Sequence, residues 1–241
     1  MEPRTYRHWI EGTDLVPFNV TVKETDLYIR ARADLHRKAL RITQKYRHQL
    51  EGYIKRNPDF LTSLEPLPVP EYAPDIVKEM SQAGIDAGVG PMASVAGAIA
   101  EFVGKELLTF SPEIIVENGG DIYLKILKKR TVGIFAGDSP LTGKLGLEIN
   151  AEETPLGICT SSGTVGHSLS YGKADAVIVL SISATLADAA ATSIGNRVNV
   201  AGDIDRAIEY GKTIKGLRGL VIIKDEVAGA WGDIKLCETA V

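Results

Sequence analysis

The sequence predicts an α+β protein, with antiparallel sheet and helices packed into one compact, two-lobed unit. Three observations lead there. Runs of strand length outnumber clean strand–helix–strand units. The first runs are separated by turns alone, as in an antiparallel meander. Asn118-Gly119-Gly120-Asp121 stands between two later runs, and Asn-Gly is the strongest short hairpin signal, because both central positions need positive φ. The 241 residues suffice for one large domain or two small lobes around a sizeable core.

In chain order, residues 4–9, 16–22 and 27–32 read as the opening strands, with Thr25-Asp26 as the turn before the third. Asp34 can cap a helix running to about residue 55. Leu35, Ala39, Ile42, Tyr46, Leu50 and Tyr53 recur every three or four residues and form its apolar stripe. Arg37, Lys38, Arg41, Lys45, Arg47 and Lys55 cover the opposite face, which reads as solvated surface ahead of an anion site. Asn57-Pro58 ends the helix. Four prolines in 61–74 make that stretch an extended connector. It is a candidate seam between lobes, 1–60 with C-terminal elements on one side and 75–200 on the other.

A short helix over 75–82 leads into a glycine-punctuated loop at 84–91. Pro91 then opens a helix over 92–108 whose small residues permit close contact on several faces. Its first amides and positive dipole end suit a phosphate, and Glu101 is the charge on it expected to look inward. Strands follow at 113–116 and 122–127 around the glycine turn, then at 131–136 and 144–149. Residues 156–159 and 176–180 are short buried strands, and Ser183 or Thr185 can cap the next helix. Asp203 can cap a helix to about residue 215. Strands at 217–224 and 231–237 close the chain, with 229–232 between them.

Composition narrows the function. A net charge of −4 gives no basic field, so nucleic acid is not an expected partner. Aromatics at 6% are too sparse for base-stacking platforms. Cys159 and Cys237 form no CxxC pair, so neither zinc nor a disulfide framework is expected; reduced thiols are a simpler reading than one bridge between the two. No apolar run approaches the ~18 residues of a membrane helix. The first residues, MEPRTYRHWIEG, contain no hydrophobic signal core, and the expectation is a cytoplasmic protein.

The candidate site centres on residues 157–196, read as strand, polar loop, strand and helix start. Thr160, Ser161, Ser162, Gly163, Thr164 and Gly166 precede His167, and such short side chains let a ligand approach backbone amides and hydroxyls. His167 is a candidate ligand contact, since loops on a rigid scaffold carry function. Cys159 reads as buried packing or as a nucleophile. Asp188 and Thr192 lie four residues apart on one helix face, where a carboxylate and a hydroxyl can hold Mg²⁺ with phosphates completing its shell. The same Asp188 can instead close a capping box with Thr185. Asp121 reads as a turn residue or as a polar contact in a turn against which a ligand lies.

These stretches resemble a family. SATLADAAATS, residues 183–193, resembles the ADALAT segment of ApbE-like proteins, the FAD:protein FMN transferases. Glu117-Asn118-Gly119-Gly120-Asp121-Ile122 resembles that family's N-x-GGDI turn. Thr160-Ser161-Ser162-Gly163 followed by His167 resembles its T-S-G…H segment, and all three stand in the family's order. GPMASVAGAIAEFVG, residues 90–104, resembles the signature of a smaller archaeal and bacterial branch, a match that runs over most of a single domain, 1–241. The resemblance implies Mg²⁺ at Asp188 and Thr192. It implies FAD or FMN bound by Gly119, Gly120, Asp121, Thr160, Ser161, Ser162, Gly163 and His167.

The reaction so implied is flavin transfer, in which a Thr or Ser of a partner protein attacks phosphorus; no residue stands out as its base, His167 and Glu101 being the candidates. Two segments depart from the transferases. Their Lys-Gly-Tyr-Ala-x-Asp is Ala96-Gly97-Ala98-Ile99-Ala100-Glu101 here, without the lysine. Their H-I-I-D-P is His167-Ser168-Leu169-Ser170-Tyr171-Gly172. The missing lysine favours a second expectation, a non-flavin accessory role in anaerobic sulfur assimilation and homocysteine formation, which the branch resemblance implies. A small phosphorylated ligand and a homodimer are the expected partners. A purely structural module is disfavoured by glycine loops at three separate places, which are costly to order without a use.

Overall fold

The computed structural model describes residues 14–163 and 172–239. Their order is β1 (Val16–Val22), β2 (Thr25–Ala31), α1 (His36–Arg56), α2 (Asp59–Thr62), α3 (Asp75–Ala87), α4 (Val95–Leu107), β3 (Ile114–Asn118) and β4 (Asp121–Lys125). Then come β5 (Arg130–Gly133), β6 (Leu145–Ile149), β7 (Leu156–Ser161), β8 (Ala176–Ser181), α5 (Ala184–Gly195), α6 (Ile204–Thr213), β9 (Leu217–Lys224), β10 (Val227–Gly232) and β11 (Leu236–Glu238). The fold is mixed α+β, as the sequence predicts.

Eight strands form one antiparallel sheet in the order β1-β2-β3-β4-β7-β8-β9-β10. A second sheet has the order β11-β6-β5. Helices cover one face of the large sheet: α4 lies over β3 and β4, α5 over β7 and β8, and α6 over β9 and β10. The small sheet packs on the other face. Central strands are therefore buried on both sides. In β8, Val177 and Val179 join the core under the helices, while Ala176, Ile178 and Leu180 join the core under the small sheet. Two-sided burial explains why this strand is an unbroken apolar run rather than an alternating one.

Several elements differ from expectation. The first turn falls at Lys23 and Glu24, with Lys23 at φ 52°, and Thr25 already opens β2. Helix α3 runs five residues past position 82, through Gly84, and ends at Gly88 in the left-handed region. Gly84 belongs inside it because the chain folds back so closely that a Cβ there would meet the Val89 carbonyl at 2.7 Å. Asp203 does not cap α6 with its side chain; its carboxylate turns back to the amides of Asn199 and Val200. Residues 229–232 are part of β10, and β11 is a separate strand that crosses to the small sheet. Both cysteines are free, and Cys159 is buried in β7. The predicted strand at 4–9 lies outside the described residues.

Candidate functional site

The site begins where α4 and α5 cross. Glycines bring them together: a Cβ on Gly97 would come within 2.8 Å of Asp188 Cβ. On the other side of α5, a Cβ on Gly157 of β7 would stand 2.6 Å from the Ala184 amide nitrogen. Ala184, the first residue of α5, is thus wedged between two glycines. Gly157→Ala is expected to cost about 1–3 kcal/mol of stability through overpacking, because backbone cannot rotate aside as a side chain would. A urea unfolding midpoint equal to that of the unchanged protein would show that this contact is slack.

Each helix holds the other's first turn with an acid. The Gly97 amide donates to Asp188 Oδ2 at 2.8 Å, and the Ala96 amide also bonds that carboxylate. In return, Glu101 Oε2 accepts from Thr185 N at 2.9 Å, Thr185 Oγ1 at 2.9 Å and Ser183 Oγ at 3.0 Å. Lys105 Nζ donates to Glu101 Oε1 at 2.6 Å. Ser183 is the N-cap of α5, accepting from the Leu186 amide. Two expectations are thereby corrected. Asp188 does not close a capping box with Thr185, since Ser183 and Glu101 do that work. The first amides of α4 are not open to a phosphate, since Asp188 takes two of them.

Asp121 approaches the same place from below. Gly119 and Gly120, at φ 67° and 108°, form the two-residue hairpin turn between β3 and β4, with Asn118 opposite Asp121. Asp121 and Tyr123 face the helices, while Ile122 and Leu124 face the small sheet. Asp121 Oδ1 accepts from the Thr160 amide at 3.2 Å. Burial pushes the Asp121 pKa up to about 7, helped by the negative charge of Glu117 and opposed by hydrogen bonds from Thr160 and Cys159. Burial, and then the Asp121 charge, push Asp188 well above the usual carboxylate range. The pair thus retains protons at a pH where an exposed carboxylate has lost them.

This donor set fits a hard divalent cation. It offers two neighbouring carboxylates whose mutual repulsion a cation relieves, and Thr192 one helical turn beyond Asp188. Among the described residues no group of three His, Cys, Asp or Glu side chains forms a self-sufficient metal site. The remaining coordination would fall to ligand oxygens and water, which is the usual manner of Mg²⁺. Cys159 is a poor nucleophile. Burial and the neighbouring Asp121 charge push its thiol pKa well up, and Sγ stands 3.2 Å from the Ala184 carbonyl.

A cavity of about 640 Å³ opens on the other side of the α4 start. It shares Ala96 and Asn118 with the acid site, and Asn118 Nδ2 donates to the Ala96 carbonyl at 3.1 Å. Leu50, Ile54, Met92, Val95 and Ile99 give it apolar walls. Space is open beside Gly119 and Gly120, so a ligand has access to the turn.

Of the residues singled out in the sequence, Gly119, Gly120, Asp121, Thr160 and Asp188 come together here. Ser161 lies beside the last turn of α5, its Oγ 3.6 Å from where a Gly195 Cβ would stand. Gly163 packs against the Gly172 backbone, and its amide bonds the Ala174 carbonyl. Ser162 follows β7, Gly163 ends the described part of this loop, and His167 lies outside the described residues. Sequence reasoning missed Gly97 and the cavity. The spacing of Gly97 and Glu101, four apart on one helix face, was the signal available.

The family described as AbpE bacteria matches residues 7–228. A UPF0280 protein of Methanococcus maripaludis strain C5 is 45% identical over 221 residues, covering 89% of this chain and 90% of its own. The apo crystal structure of the flavinyl transferase ApbE of Pseudomonas stutzeri is similar at TM-score 0.58 and 11% identity, covering 90% of this chain and 94% of its own. A mutant of the flavin transferase ApbE of Vibrio cholerae is similar at TM-score 0.59 and 13% identity, covering 91% and 97%. At such identities the two structures speak to the fold alone. The match over nearly the whole chain and the relative at 45% identity carry the assignment: this chain belongs to the ApbE-like family described as AbpE bacteria.

Proposed function

We propose that this protein binds a phosphorylated ligand of the flavin-nucleotide class together with Mg²⁺. One observation carries the reading: the Gly119-Gly120 turn, the end of β7 and Asp188 of α5, far apart in sequence, meet beside a cavity large enough for a heteroaromatic ligand. In this reading Asp188 and Thr192 hold the cation, Asp121 stands next to them, and the ligand's body lies in the cavity. Mg²⁺, when bound, neutralises phosphate charge. The chain's own groups prepare the place. The Ala96 and Gly97 amides orient Asp188, the Thr160 amide orients Asp121, and the proton kept on this acid pair leaves as the cation enters. The flavin transferases of like fold make flavin transfer to a partner protein the natural reaction to assay.

Calorimetric titration with FMN and FAD, with and without Mg²⁺, tests this. Changes outside the ligand shell cost metal sites about 10–100-fold in affinity, so Asp188→Ala is expected to lose at least about tenfold in the Mg²⁺-dependent part. Equal binding by the variant would remove Asp188 from the site. A second reading, a smaller non-flavin metabolite on the same cation site, draws on one fact: Asp188 already occupies the α4 amides that would suit a pyrophosphate. No saturable flavin binding, with Mg²⁺ binding still dependent on Asp188, would favour it.

A further inference from the structure

The eight-stranded sheet ends on two unlike edges, β1 and β10. A sheet edge offers a row of unpaired N–H and C=O groups to any strand that lies beside it, and proline or charge is the usual guard. β1 has such a guard. Val22 pairs with Thr25 across a two-residue turn, so Val16, Phe18, Val20 and Val22 spend their backbone groups on β2. Pro17, Asn19 and Thr21 face out, and Pro17 removes a donor from that outward row.

The β10 edge is bare. Val227 pairs with Lys224 across the turn Asp225-Glu226, with Asp225 at φ 56°. Val227, Gly229 and Trp231 therefore bond to β9, and the same phase continues where the Asp233 amide donates to the Arg218 carbonyl at 3.0 Å. Ala228 and Ala230 turn their N–H and C=O groups outward, where no described residue bonds them. The strand, Val-Ala-Gly-Ala-Trp-Gly, has neither charge nor proline. Both alanines are exposed, and Val227 is 47% exposed.

This edge complements itself. Antiparallel pairing about a two-fold axis must set outward residues opposite outward residues. With the axis at Gly229, Ala228 lies opposite the partner's Ala230, and each such pair exchanges both of its N–H···O bonds. Gly229 faces α6, since a Cβ there would meet Ile204 Cγ2 at 2.5 Å, and Val227 and Trp231 share that face. Val227 then lies opposite the partner's Trp231, an apolar cross-strand pair. An axis at Ala230 would call on Gly232, which bends away at φ 92° and whose carbonyl already accepts from the Ile234 amide at 2.9 Å. An axis at Ala228 would call on Glu226, a turn residue. Helix α6 packs on β10, and its exposed Asp205, Arg206, Glu209 and Lys212 balance in sign, so no like-charge wall opposes a second copy.

We infer that β10 is a homodimer interface, in which the edges of two copies pair antiparallel about Gly229 and join their large sheets into one. This interface stands apart from the proposed function and needs neither ligand nor metal.

Gel filtration with light scattering, over a range of protein concentrations, tests it, and the unchanged protein is expected to show twice the mass of one chain. Ala230→Pro deletes an outward donor and leaves the bonds to β9 intact, so its mass is expected to halve. Ala228→Lys combined with Ala230→Lys sets lysine opposite lysine across the axis and is expected to give a monomer with an unchanged circular dichroism spectrum. Asn19→Lys, on the β1 edge, is expected to remain a dimer. Amide hydrogen exchange over Val227–Gly232 should be slower in the dimer than in the double-lysine monomer. A monomeric unchanged protein, which would leave this edge to a strand of some other protein, overturns the inference. So does a dimer that persists in the folded double-lysine variant, or one whose exchange at β10 matches that of the monomer.

Discussion

Asp121→Asn is expected to make the metal-free protein more stable by about 3 kcal/mol near pH 8, and to change it little near pH 4. The direction follows from the folded pKa of about 7, above the ordinary carboxylate value of 3.8. Between those two values the folded state keeps a proton that the unfolded chain has released. Stability of the unchanged protein therefore falls as pH rises through that window, and the full penalty is present above it. Asparagine is isosteric, keeps an oxygen for the Thr160 amide, and cannot ionise. Urea unfolding at several pH values reads this out: the two stability curves should converge in acid and diverge toward alkaline pH. Parallel curves would mean that Asp121 is ordinary. Under the proposed function, Mg²⁺ should close the alkaline gap by stabilising only the protein that keeps the acid pair.

That acid pair shows what was legible in the sequence and what was not. Asp121 and Asp188 stand out by neighbourhood alone, one behind two glycines and the other in a helix of small residues. Hairpin β3–β4 was readable because Gly119-Gly120 leaves the chain one tight turn to make. The buried strand β8 was readable because two covered faces leave no polar position. The failures share a physical cause. Gly84 looks like a loop residue, yet it sits in a helix because Val89 folds back onto it. Gly229 and Gly232 look like a connector, yet β9 supplies their hydrogen-bonding partners. Gly97 looks like one more small residue until Asp188, distant in sequence, is brought onto its amide. In each case the deciding contact is tertiary, and local pattern carries no trace of the partner. The cavity is the extreme instance, since its walls come from the β1–β2 turn, α1, α2, the start of α4 and the end of β3.

Glu101→Ala is expected to be the most damaging single change in the helical layer, at about 3–5 kcal/mol. Glu101 is only 4% exposed. Its Oε2 is the acceptor for the Thr185 amide, the Thr185 hydroxyl and the Ser183 hydroxyl, donors on the first turn of α5. Alanine would leave all three without that acceptor, and would leave a void where the carboxylate lies. Each buried unsatisfied donor costs about 1–3 kcal/mol, with some relief from rearrangement of the hydroxyls. Glu101→Gln keeps one oxygen near those donors but loses the charge that Lys105 answers, so a smaller loss of about 1–2 kcal/mol is expected. Thermal or urea unfolding of the two variants ranks them, and equal stability would show that α5 starts without help from α4. The ranking bears on function because Asp188 is one turn beyond the residues that Glu101 holds. In folded Glu101→Gln, a weakened hold on Thr185 should loosen the direction of Asp188 and reduce Mg²⁺ affinity by more than the small stability loss would suggest. If Mg²⁺ affinity is unmoved, Glu101 serves the fold alone, and the Ala96 and Gly97 amides suffice to aim Asp188.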